Sequence, residues 1–98
     1  MKTVWKFTID PSQTVGDTFT LDIPVAAQIL TVQIQHSEIV LWALVDPTIQ
    51  TERRKFRVVG TGYNIKYGAP MNYIGTVQLY GGDIVLHIFE YQKPESQQ

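Results

Sequence analysis

Residues 29–42 are repeated 45 positions later, over residues 74–87. Seven of the fourteen aligned pairs are identical, and Ile34/Leu79 and Glu38/Asp83 are conservative. Each copy holds two short runs rich in Val, Ile, Leu and Thr around a two-residue break, His36-Ser37 in one and Gly81-Gly82 in the other. Such runs suit a pleated, half-buried surface, and Gly-Gly suits a primed turn with positive φ at both central residues. Two equivalent β-hairpins related by an approximate twofold axis are therefore expected. The alternative is chance likeness between hairpins built from the few residue types that strands use.

A two-residue turn pins the register of each hairpin. Gln35 then faces Glu38, and Ile34/Ile39, Val32/Leu41 and Leu30/Ala43 follow on one apolar face. In the second copy Tyr80 faces Asp83, and Leu79/Ile84, Val77/Leu86 and Gly75/Ile88 form the corresponding face. These faces are the predicted core. The opposite faces are mixed: Gln33/Val40, Thr31/Trp42 and Ile29/Leu44 in the first copy, and Gln78/Val85, Thr76/His87 and Ile74/Phe89 in the second. Such a face is too apolar to be simply solvated and too polar for deep core. A loop, another subunit or a ligand must cover it.

The rest of the chain has the same character. Strands are predicted near residues 3–9, 17–23, 28–35, 38–46, 54–60, 73–80 and 83–91. Turn signals lie at Asp10-Pro11, Val15-Gly16-Asp17, His36-Ser37, Asp46-Pro47, Gly68-Ala69-Pro70 and Gly81-Gly82. Trp5, Phe7 and Ile9, and Phe19, Leu21 and Ile23, alternate with polar neighbours. Residues 47–54 are polar and are read as a loop with at most one helical turn. The expected fold is all-β: a small antiparallel β-sandwich or flattened barrel of about seven strands, with both hairpins packing their apolar faces on the remaining strands. One domain over residues 1–91 and a flexible polar tail over 92–98 complete the picture.

Several function classes are excluded or disfavoured by composition. The 98 residues contain no cysteine, so disulfides, thiolate metal sites and Cys nucleophiles are absent. A formal charge of −1 gives no general attraction to nucleic acid or anionic lipid, and direct nucleic-acid binding is not expected. The amino-terminal residues return to polar types at once, which predicts no signal peptide, and no apolar run suits a membrane span. His36 falls at a turn tip and His87 mid-strand beside Thr76. A His–Thr pair suggests a nucleophile set, but no third member is evident. His36-Ser37-Glu38 matches half of a zinc-deaminase signature whose cysteines do not exist here. No metal site, no cofactor and no enzyme activity are expected.

Two candidate binding sites remain. The mixed hairpin faces carry Thr31, Gln33, Trp42, Thr76, Gln78 and His87. The second candidate joins Arg53, Arg54 and Arg57 to the glycine turn Gly60-Thr61-Gly62, a basic strand running into a flexible loop that suits a phosphate or other anion. Against it stands a structural reading, an edge strand whose charges discourage pairing, followed by a bulge.

Three segments carry a family resemblance: Leu41-Trp42-Ala43-Leu44-Val45-Asp46-Pro47, the Gly60-Thr61-Gly62 turn, and residues 73–90 beginning Tyr73-Ile74-Gly75-Thr76-Val77-Gln78. Together with Met1-Lys2-Thr3-Val4-Trp5-Lys6-Phe7 and Ala27-Gln28-Ile29-Leu30-Thr31-Val32-Gln33, they resemble a family of small uncharacterised bacteriophage and prophage proteins. In those proteins the glycine turn runs into His-Pro-Ile. Here Tyr63-Asn64-Ile65 follows, so no role of that histidine carries over. The resemblance implies a phage or prophage origin and a bacterial host cytoplasm, and brings no activity or ligand. The expected function is a non-enzymatic accessory protein that binds a host or phage protein, in host takeover or counter-defence, and self-associates. A small anionic-ligand or nucleotide-sequestering protein and a minor virion component are the alternatives.

Overall fold

In a computed structural model, which describes residues 1–10, 14, 17–65 and 70–92, the repeat forms the two predicted hairpins. Strands β3 (Gln28–Gln35) and β4 (Glu38–Val45) make the first, and β6 (Met71–Leu79) and β7 (Ile84–Tyr91) the second. His36 and Ser37 both take positive φ, 51° and 68°, the primed turn that matches strand twist. In the second copy Gly81 and Gly82 turn at 67° and 97°, and the Asp83 amide donates to the Tyr80 carbonyl (3.2 Å). Tyr80 itself has left the strand, with φ at 53°.

Near the turns the ladder runs as expected: Ile34 meets Ile39, Val32 meets Leu41, Leu79 meets Ile84 and Val77 meets Leu86. Farther out each hairpin slips once. Leu30 is skipped in β3, so Ile29 rather than Leu30 faces Ala43, and Gln28 rather than Ile29 faces Leu44. Ile74 is skipped in β6, so Tyr73 faces Phe89, while Gly75 meets Ile88 as predicted. A bulge inserts one unpaired residue and re-aims its neighbours. Leu30, predicted as core, is accordingly 44% exposed, whereas Ile29 packs against the core.

Two antiparallel sheets form, in the orders β1-β4-β3 and β2-β5-β7-β6, with β1 at Thr3–Ile9, β2 at Thr18–Pro24 and β5 at Thr51–Gly60. They pack face to face as a sandwich. The expected packing of both hairpins on the other strands is corrected: each sheet holds one hairpin, and their apolar faces meet each other. The halves share a topology, since β4 is flanked by β1 and β3 just as β7 is flanked by β5 and β6. The equivalent strands β3 and β6 approach most closely across the core, where a Cβ on Gly75 would stand 2.8 Å from Val32 Cγ1. Ile23, Leu41, Ala43, Val45, Phe56 and Ile88 are fully buried between the sheets, and Phe19 stacks on Phe56 at 5.1 Å.

Two further expectations change. Strand β5 begins at Thr51, so the polar loop is only a short turn in which Asp46 accepts from the Thr48 amide and hydroxyl. It is also an interior strand, paired with β2 and β7, and not the edge strand its charges suggested. The predicted turns at Asp10-Pro11, Val15-Gly16-Asp17 and Gly68-Ala69-Pro70 fall partly outside the described residues. So does the tail from residue 93 on. Among the described residues no helix is long and apolar enough to cross a membrane.

Candidate functional site

Because the two core faces oppose each other, the two mixed faces point to opposite sides of the sandwich. Thr31, Gln33 and Trp42 lie on the outer face of β1-β4-β3, whereas Thr76, Gln78 and His87 lie on the outer face of β2-β5-β7-β6. They do not form one surface. The first face is shielded only in part by its own side chains, since Val4 there is 50% exposed. Lys6 Nζ in β1 donates to Gln35 Oε1 in β3 (3.0 Å), bridging the strands that flank β4. Val40 of β4, on that outer side, is only 1% exposed. A long lysine stem is well suited to such a cover.

The other outer face is built differently. Cross-strand pairing sets His87 of β7 between Val59 of β5 and Thr76 of β6. The Thr76 hydroxyl lies 2.9 Å from His87 Nδ1 and 2.6 Å from the Tyr73 hydroxyl, and the Thr61 hydroxyl lies 2.7 Å from His87 Nε2. Four side chains from three segments thus form one hydrogen-bonded chain, Tyr73–Thr76–His87–Thr61. In a neutral ring one nitrogen donates and the other accepts, so the chain runs with one of two polarities; in a protonated ring both nitrogens donate. Tyr73 also meets Phe89 edge-on at 5.6 Å, and Lys55 Nζ stands 5.0 Å over the Tyr91 ring.

Thr61 is placed by the glycine turn. Its amide donates to the Val85 carbonyl (3.3 Å), the Tyr63 amide closes the turn onto the Gly60 carbonyl (3.1 Å), and Gly62 supplies φ of 88° at the third position. The ring of Tyr63 rests on Gly60, within 3.2 Å of where a Cβ would stand. The pattern Gly-Thr-Gly is thus a turn that aims a hydroxyl at a histidine. The Thr61–His87 pair has nucleophile–base spacing, but the orienting position belongs to a neutral hydroxyl. A hydroxyl does not offset the charge of an imidazolium as a carboxylate does.

The arginines of the anion candidate do not converge. Arg54 projects to the core side, where its Nε and Nη2 meet both Glu90 oxygens (2.5 and 2.7 Å) and its Nη1 donates to the Ala27 carbonyl (2.6 Å). Arg53 points outward beside Asp22 (3.4 Å), and Arg57 donates to Asp17 (2.8 Å). The Arg57 hydrogen bond, with its charge in support, holds the Asp17 carboxyl below the usual range and in return raises the guanidinium. Each positive charge already has a carboxylate partner, so a phosphate would have to displace one. Arg57, Gly60 and Thr61 do share a hollow of about 550 Å³ with Asp17, Tyr63 and Asp83. Gly62 stands at its turn, with Arg53 and Arg54 outside it.

A family model covers residues 1–98, that of a domain of unknown function, DUF7352. The chain belongs to the DUF7352 family. No curated protein and no solved structure matches it. In this DUF7352 member, no cluster of three or more His, Asp or Glu side chains is arranged to hold a metal ion among the described residues. Local sequence pattern puts His87 and Thr61 in separate candidate sites and gives Tyr73 no role. The link among them depends on β5 pairing with β7, a contact between segments far apart in the chain. Alternation alone puts Arg57 and Val59 on one side of β5, with Thr61 following in the same phase just past its end.

Proposed function

We propose that this DUF7352 protein is a non-enzymatic accessory protein of bacteriophage or prophage origin. It works by binding other proteins in the host cytoplasm, in host takeover or counter-defence, and it self-associates through the outer face of β2-β5-β7-β6. The observation that carries the reading is the self-satisfied polar chain on that face. Tyr73, Thr76, His87 and Thr61 direct their polar atoms at one another. Covering them therefore leaves few unpaired groups, which is the main cost of burying polar atoms. Around the chain lie Phe89 and Tyr91, and its own end residue Tyr73 is 60% exposed; all three are side chains that favour interface cores. The opposite face carries the Lys6–Gln35 hydrogen bond and, among the described residues, no such chain of mutually paired side chains. The phage origin rests on the resemblance carried by residues 41–47, 60–62 and 73–90.

Sedimentation velocity over a wide concentration range tests the reading. A dimer or larger species is expected, and Tyr73→Asp shifts it to monomer while the circular-dichroism spectrum remains that of the folded chain. A chain that stays monomeric at every concentration, or an oligomer indifferent to Tyr73→Asp, removes this face as the contact surface.

A further inference from the structure

At the hairpin-tip end of the sandwich the two sheets leave a hollow of about 450 Å³, a volume within the range of small-molecule sites. Its wall includes six aliphatic side chains: Ile9 of β1, Ile39 of β4, Val58 of β5, Leu79 of β6, and Ile84 and Leu86 of β7. Alternation along β7 puts Ile84 on the same side as the buried Ile88, yet Ile84 is 42% exposed. A core-facing residue this open marks apolar surface that the facing sheet does not cover. The hollow adjoins the one that Thr61 and Tyr63 line, and the two share Asp17, Val58, Ile84 and Leu86 as walls. Arg57, already held by Asp17, and a second carboxylate, Asp83, line the adjoining hollow, which opens beside the aliphatic one as its mouth. Among the described lining residues, two acidic groups stand against one base and give this mouth a net negative charge.

We propose that this end of the sandwich binds a small amphiphile with an aliphatic body and an amine head. The body lies against Ile39, Leu79 and Ile84, and the head lies at the carboxylates of the mouth. Burial of aliphatic surface supplies the affinity, and the charge of the mouth selects against a carboxylate or phosphate head. This reverses the charge preference of the anion site suggested by Arg53, Arg54 and Arg57. It does not depend on self-association.

Octylamine, 1-octanol and octanoate, each below its aggregation concentration, test the site by thermal shift on the full chain. Octylamine is expected to raise the melting temperature by about 5 °C at roughly fivefold its dissociation constant. Octanol should do less and octanoate nothing. Ile84→Trp fills the hollow and removes the octylamine shift, and Asp83→Lys weakens octylamine while leaving octanol unchanged. Equal or greater stabilisation by octanoate, no shift with any of the three, or an undiminished shift in Ile84→Trp overturns the proposal. Should Ile84→Trp fail to fold, amide chemical-shift changes on adding octylamine to the unaltered protein decide. Changes centred on Ile9, Ile39, Leu79 and Ile84 support the site, and changes scattered over both outer faces refute it.

Discussion

His36 and Ser37 form a primed turn without glycine, and each residue pays the steric cost of a left-handed backbone, φ 51° and 68°. Asn-Gly is the pair this turn prefers. The double substitution His36→Asn, Ser37→Gly is therefore expected to stabilise the protein by about 1 kcal/mol, a rise of roughly 4–8 °C in melting temperature by circular dichroism. An unchanged or lower midpoint would show that these side chains contribute something the turn geometry does not reveal. Gly75 presents the opposite situation. A methyl there would stand 2.8 Å from Val32 Cγ1, on a branched side chain with little rotamer freedom. Gly75→Ala should cost about 1–3 kcal/mol, and adding Val32→Ala should cost less than the two separate losses summed. Strict additivity in urea denaturation would mean that the two residues do not press on each other.

At the scale of elements, Arg54 ties three of them together. It bridges β5 to Glu90 in β7 and to the Ala27 carbonyl just before β3, so one side chain links both sheets. Both partners are only 14% exposed, and removing one leaves a poorly solvated charge. Arg54→Ala is expected to lose about 3 kcal/mol, whereas Arg54→Met with Glu90→Leu should lose much less. The comparison is read from urea midpoints at constant m value; equal losses in both variants would show that the ion pair itself supplies the stability. The same strand shows how far local sequence reaches. Alternation placed Phe56 and Val58 opposite Lys55 and Arg57, as the structure has it. The charges nonetheless suggested an edge, because nothing local to residues 53–57 reveals that Asp17, Asp22 and Glu90 come to meet them. The bulges at Leu30 and Ile74 escaped for a related reason. A turn pins pairing near itself, and packing between β3 and β6 decides where a residue is pushed out of line.

For the molecule as a whole, acid should be the weak side. Asp46, through the Thr48 hydroxyl and then its amide, and Asp17, chiefly through its hydrogen bond to Arg57, both titrate below their ordinary value of 3.8 in the folded state. A carboxyl lowered by folding contributes stability above its unfolded value and loses it as pH falls through the folded one. Stability should hold from neutral pH to about 4 and fall below that. Thr48→Ala should flatten the fall without removing it, as Asp17 remains. Denaturant midpoints across pH 2–6 measure this, and an identical slope in the variant would discount Asp46. On this scale the repeat acquires a meaning that the aligned segments lacked. The duplicated unit has three strands, β1-β4-β3 against β5-β7-β6, with β2 added to the second sheet.

The all-β class, the two hairpins, their register beside the turns and most inward-facing residues were determined by the sequence itself. These follow from alternation of period two and from turn chemistry, which act between near neighbours. Tertiary structure alone decided that the hairpins lie in opposite sheets, which separates Thr31, Gln33 and Trp42 from Thr76, Gln78 and His87. It also decided that Thr61 reaches His87 and that each arginine finds a carboxylate. Those outcomes depend on pairings between segments some 25 to 40 residues apart. Their choice is made by the packing of whole faces, to which no local pattern is sensitive.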